Sequence, residues 1–256
     1  RRREQMIKIP YSLLDSQTKT KTPPIDFTSP NIAGQLQARR SAQVKASALF
    51  GVSVPMFSDK EASEAVQVFK DPRVPAQQIV DIAKTFATAS YSSDPDVAKF
   101  SALSPEFGAI IAAESQGATY RSQGSMITVS NTIAEGYKLG QDKDIKKRLL
   151  MSDDKTVGEM IDKEFGNYMG DAYGVHNPIV TQQNKNLAET ILLSLASKQT
   201  EVTRSRLKEL SKTAIALATG GVVEYNGQKV VTPYGMNNEA FQAKAKDALT
   251  YGVFAM

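Results

Sequence analysis

Apolar residues recur along most of this chain at the three- and four-residue spacing of one helix face, punctuated by prolines, glycines and capping residues. From about Asn31 to Phe50 the apolar positions Ile32, Leu36, Val44, Ala48 and Leu49 fall at helical spacing, and Gly51 and Pro55 close the segment. Ser58-Asp59-Lys60-Glu61 reads as a capping box, Ser at the N-cap and Glu three residues on, opening a helix to about Lys70. A third helix is expected from Pro75, at its first helical position, to about Ala89, with Ile79, Ile82, Ala83 and Phe86 on one face. Asp94-Pro95 and Ser104-Pro105-Glu106 repeat the cap-then-proline start. The second leads into Phe107 to Ala113, apolar on nearly every side, which is the signature of a central helix.

Further helices are predicted at about Ser125 to Leu139, Lys143 to Leu150, Thr156 to Met169, Pro178 to Lys198 and Glu201 to Thr219. Gly220-Gly221 stands where the last of these needs a left-handed C-cap, and Asn237-Asn238 can cap a final helix from Ala240 to about Thr250. One stretch breaks the helical period. Val222 to Tyr225 and Gln228 to Thr232 are β-rich arms flanking Asn226-Gly227, the dipeptide suited to a type I′ turn. A lone hairpin is marginal in water, so this one must dock on helices or on another chain. Ahead of it all, Pro10, Pro23, Pro24 and Pro30 bar a continuous helix. The expected architecture is therefore mostly α: an extended N-terminal arm over residues 1–30, then a compact multi-helix domain over residues 31–256 with one small hairpin at about 222–232.

Composition narrows this picture. Apolar residues make up 41% and charged residues 23%, which suits a folded chain. Aromatics are only 7%, without Trp, so the core is expected to rest on Ala, Leu, Ile, Val and Met. The absence of Cys excludes disulfides, thiolate metal sites and a Cys nucleophile. No apolar run is long enough to span a bilayer. The start, Arg1-Arg2-Arg3-Glu4, lacks an apolar h-region and reads as the cut end of a longer polypeptide. With 31 Lys and Arg against 27 Asp and Glu the net charge is +4. Its basic groups are dispersed: Arg39 and Arg40, Lys146, Lys147 and Arg148, and Arg204, Arg206 and Lys208 are the candidates to face nucleic acid, each otherwise an ordinary solvated helix face.

Groups able to carry chemistry are few. Glu114-Ser115, at the end of the apolar helix, resembles the Glu-Ser signature of lytic transglycosylases, which implies Glu114 as a general acid toward a glycosidic oxygen. The Gly-Leu-Met-Gln stretch of that family is missing here, and solvated helix-end chemistry is the plainer reading of Glu114. His176 is the single histidine, with no oriented partner legible in the sequence. Asp142 and Asp144, and Asp153-Asp154, lack the spacing of a calcium loop, and Asp153-Asp154 reads as a helix cap. No metal or cofactor site is expected.

The segment from Ala214 to Leu249 resembles large tailed-phage internal or ejection proteins, which often carry a transglycosylase domain elsewhere in a long polypeptide. Gly220, Gly221, Tyr225, Asn226, Gly227, Pro233, Gly235, Met236 and Phe241 carry the likeness, and Phe57 to Glu61 and Ile133 to Gly136 are compatible with it. The resemblance implies a structural virion protein rather than an enzyme, part of an internal core or conduit that delivers DNA across the host envelope. It also implies homo-oligomeric rings or tubes, contacts with other core, portal or tail proteins, and non-specific contact with phage DNA. Tyr225, Asn226, Gly227 and Tyr234 are the candidates for a subunit contact. The alternative is a peptidoglycan-cleaving domain that uses Glu114.

Overall fold

In the computed structural model, which describes residues 11–18, 22–87, 94–117, 119–122, 125–145, 163, 178–200, 202–219, 222–225 and 228–231, the first helix lies inside the segment expected to be an extended arm. This helix, α1, spans Ser12–Thr18. Proline constrains itself and the residue before it, and the proline-free stretch between Pro10 and Pro23 leaves room for two turns. Leu14 anchors them in a small satellite core with Ala46 and Val54.

Helix α2 spans Ile32–Phe50 and stops at Gly51, whose φ of 66° is the left-handed conformation that glycine adopts without strain. Its inward face corrects the sequence reading. The buried row is Ile32, Leu36, Arg39, Gln43 and Ala46, while Val44 and Leu49, expected inside, are 58% and 63% exposed.

The next elements follow the predicted caps. Helix α3, Asp59–Val68, opens with the complete Ser58–Glu61 capping box. Helix α4, Ala76–Lys84, buries Ile79, Val80, Ile82 and Ala83; Pro75 is its N-cap rather than its first residue. Asp94 caps α5, Pro95–Leu103, and Ser104 caps α6, Pro105–Gln116, by accepting from the Phe107 amide. All of α6 from Phe107 to Ala113 is buried, as a central helix requires.

Around α6 the core departs from its aliphatic expectation. Phe27, Phe57, Phe69, Phe86, Phe100 and Phe107 touch ring to ring, with centroids from 4.6 to 6.4 Å apart. A sparse aromatic content is thus concentrated at the centre, where offset and edge-on pairs add about 1 kcal/mol each beyond their burial.

The stretch predicted as one helix from Ser125 divides. Strand β1, Thr119–Ser122, pairs antiparallel with β2, Ser125–Thr128, and α7 begins only at Val129, running to Leu139. The second hairpin forms where predicted: β3, Val222–Tyr225, pairs with β4, Gln228–Val231, in the register Tyr225↔Gln228. It docks on the helix Arg204–Thr219 and beside β1, so one marginal ribbon supports another. Helix α8, Pro178–Ser197, packs between α7 and α9, Arg204–Thr219. At the α7–α8 crossing a Cβ on Gly136 would meet the Thr190 carbonyl oxygen at 1.8 Å, so the two backbones are in direct contact.

Most of the predicted Lys143–Leu150 and Thr156–Met169 helices, and all of Ala240–Thr250, lie outside the described residues. Among the described residues no helix is long and apolar enough to cross a membrane.

Candidate functional site

The inward turn of Arg39 and Gln43 has a cause in the segment from Val54 to Phe57, which is buried without belonging to a helix or strand. Buried backbone groups outside regular structure must find partners. Here side chains of α2 and α5 supply them. The Gln43 amide donates to the Val54 carbonyl at 2.9 Å, and the Val54 amide donates to Ser47 Oγ at 3.0 Å. Arg39 Nη1 donates to the Met56 carbonyl at 2.9 Å. The Asp96 carboxylate accepts from the Met56 and Phe57 amides at 2.6 and 3.1 Å, and Lys99 Nζ donates to the Phe57 carbonyl at 2.7 Å.

Arg39 also forms a bidentate pair with Glu61, at 3.2 Å from Nη1 and 3.1 Å from Nη2. It donates further to the Tyr11 hydroxyl at 2.6 Å and to the Pro23 carbonyl. One guanidinium therefore ties α1, the segment after it, α2, α3 and the buried loop together. The fork suits this because its five donors are rigidly spread. Glu61 meanwhile accepts from the Ser58 amide at 2.9 Å, so the α3 cap and the ion pair share a carboxylate.

The electrostatics of the two buried acids differ. Burial pushes the Glu61 carboxyl up, but Arg39 and the Ser58 donors outweigh it and hold the group below its ordinary value. For Asp96, burial prevails over the two amide donors, neighbouring Asp94 adds to it, and the carboxyl is pushed up to about 7. Asp94 itself lies 3.7 Å from Arg40 Nη1.

Turning its polar row inward leaves large apolar side chains outside at the C-terminal end of α2. Val44, Leu49, Phe50 and Val52 are 58%, 63%, 37% and 42% exposed, clustered within nine residues of the helix end.

The residues singled out in the sequence are scattered by the fold. Glu114 sits half-buried in the last turn of α6, where its carboxylate accepts from Ser130 Oγ at 2.5 Å and so joins α6 to α7. Ser115 Oγ donates to the Ile111 carbonyl of its own helix at 3.0 Å. Arg39, a candidate for nucleic acid, is 3% exposed and faces the core: its donors are needed by the buried loop. Arg40 is directed to Gln43 and Asp94. Arg206 pairs with Glu209 at 3.0 Å, whereas Arg204 and Lys208 lie exposed one turn apart on α9. Lys146, Lys147, Arg148, His176, Asp153, Asp154, Asn226, Gly227 and Tyr234 lie outside the described residues, and Tyr225 stands opposite Gln228 in the second hairpin. Asp142 caps a helical turn by accepting from the Asp144 and Ile145 amides at 2.9 and 3.0 Å. Among the described residues no cluster of acidic or histidine side chains could hold a metal ion.

Sequence reasoning missed the Arg39–Glu61–Asp96 network. The available signal was phase: Arg39 and Gln43 continue the Ile32–Leu36 row at four-residue spacing, and an Asp stands in the first turn of the helix that meets the apolar run Val54 to Phe57. No protein-family model matches the sequence, and comparisons with curated proteins and with solved structures find no significant match.

Proposed function

We propose that this chain is a structural, non-enzymatic helical segment of a tailed-phage internal or ejection protein, whose copies associate in the virion into a ring or tube that helps carry DNA across the host envelope. The observation that supports an assembly role is the group of exposed apolar side chains, Val44, Leu49, Phe50 and Val52, in the last turns of α2 and just beyond it, on a helix whose inner face is already filled. Apolar surface gathered in one place favours association at roughly 25 cal/mol per Å² removed from water. From Ser41 to Val52 the only charged residue is Lys45, whose long side chain can carry its ammonium to the rim of a contact, so another copy can lie against this surface at little electrostatic cost. Where this surface meets a different surface of the next copy, the contact is head-to-tail, which closes into a ring when the rotation closes and propagates as a tube when it does not. Arg204 and Lys208, exposed on α9, suit weak phosphate contact of the kind that lets a duplex slide.

Sedimentation velocity over a wide concentration range tests the reading. The parent chain should gain mass with concentration, and a variant carrying Val44→Lys and Leu49→Lys should stay monomeric with unchanged helicity. A parent that remains monomeric throughout would remove the basis of the proposal. Release of muropeptides by the parent, lost in Glu114→Gln, would replace it with the peptidoglycan-cleaving alternative.

A further inference from the structure

A cleft of about 910 Å³ opens between the α3–α4 connection, the end of α7 and the end of α8. That volume falls in the range of sites for drug-sized ligands and is far larger than one inorganic anion needs. Lys70, Lys138, Lys143 and Lys198 line it. Of these, Lys198 is matched by Glu135 at 2.8 Å, and the same Glu135 oxygen accepts from Ser194 Oγ at 3.0 Å, so this carboxylate is already engaged. Lys138 is half-buried, and its Nζ donates to the Asp71 carbonyl at 2.5 Å. Among the described residues no carboxylate lies at ion-pair distance from Lys70, Lys138 or Lys143. The Asp142 carboxylate on the same wall is turned to its capping amides. The Asp71 carboxylate acts on Lys138 electrostatically but is itself held by Arg73 at 2.6 Å, so it neutralises Lys138 only in part. A partly desolvated ammonium beside a cavity, with its nearest acid already shared, favours an anion.

The rest of the lining selects what the anion is attached to. Pro72, Val74, Pro75, Leu139 and Ile145 give the cleft an aliphatic surface. Among the described residues no aromatic side chain lines it, so a nucleobase would find no ring to stack on there, whereas an alkyl chain finds the aliphatic side.

We infer that this cleft binds an anionic amphiphile, with a phosphate or carboxylate head between Lys70, Lys138 and Lys143 and an aliphatic chain along Pro72, Val74, Leu139 and Ile145. The site is independent of the apolar end of α2 and of any assembly built on it.

Isothermal titration of the full chain with dodecyl phosphate below its micelle concentration tests the site, alongside inorganic phosphate and the uncharged dodecyl maltoside. Dodecyl phosphate should bind at least about tenfold more tightly than either comparison, since each of them lacks half of the recognition. Lys138→Met should weaken it by a similar factor. Because Lys138 also braces the Asp71 carbonyl, the exposed pair Lys70→Glu and Lys143→Glu serves as a second variant, expected to lose binding with an unchanged circular dichroism spectrum. Vesicles of phosphatidylglycerol against phosphatidylcholine separate the sources of the ligand: co-sedimentation with the anionic vesicles alone identifies a bilayer lipid, and binding of the monomer without vesicle association identifies a free one. Equal affinity for dodecyl maltoside, or no binding of dodecyl phosphate, overturns the assignment.

Discussion

At the scale of single residues, the most consequential side chains are charged ones that stand inside. Arg39 is held by a bidentate pair and by carbonyl and hydroxyl acceptors from four separate segments. Removing one member of such a group leaves the others buried and unpaired, which costs about 3–5 kcal/mol. Arg39→Met should lower the urea midpoint accordingly, and adding Glu61→Met should recover part of the loss, since the stranded carboxylate is then gone; equilibrium denaturation of both variants measures the coupling. Asp96 gives a prediction of opposite character. Its carboxyl, ordinarily near 3.8, is pushed up to about 7 by burial, so between these values the folded chain binds a proton that the unfolded chain has released. This contribution is full below the lower value and is lost as pH rises through the upper one. Stability should therefore fall from pH 5 to pH 8, and Asp96→Asn should flatten that slope, as read by denaturation at each pH. Glu61 acts in the other direction: its depressed group loses its contribution only as pH falls through its folded-state value.

At the scale of elements, packing and pattern agree in some places and conflict in others. Helices α3 to α6 carry their start signals in the sequence, and α4 and α6 bury the faces their periodicity assigns; the buried polar side chains of these helices are caps, first-turn groups or, in Ser101, a hydroxyl bonded to its own helix. Helix α2 does not, because its apolar positions were assigned to the core without regard to the loop that needed donors. The α7–α8 crossing depends on a missing side chain. A methyl group on Gly136 would lie 1.8 Å from the Thr190 oxygen, while one on Gly140, a turn further, would stand 3.6 Å from the nearest atom of α8, Leu193 Cδ1. Gly136→Ala should force the helices apart and destabilise the fold by about 1–3 kcal/mol, with Gly140→Ala close to neutral. Thermal unfolding of the pair compares them directly, and equal melting temperatures would contradict the close crossing.

At the scale of the whole molecule, the chain presents two surfaces of different character: an apolar surface at the end of α2 suited to another copy, and a lysine-lined cleft beside the ends of α7 and α8 suited to an anionic amphiphile. Neither contains the residues to which the sequence assigned catalysis or nucleic-acid contact: the first holds Val44 and Leu49, expected in the core, and the second gathers positions distant in the chain. The mostly helical architecture, the Ser58–Glu61 capping box, the central helix at Phe107 to Ala113 and the strands of the second hairpin were legible in the sequence. Each rests on interactions within a few residues, between cap and amide, across one turn or across one hairpin, and local sequence suffices to specify those. The first hairpin was hidden because its short arms run straight into α7, so the apolar positions at its end were absorbed into the helical period. Which face of α2 turns inward, why a guanidinium and a carboxylate are buried, and where the phenylalanines converge were decided only by tertiary structure. These depend on satisfying the buried amides and carbonyls of Val54 to Phe57 with side chains far away in sequence, and no pattern of hydrophobic spacing records that requirement.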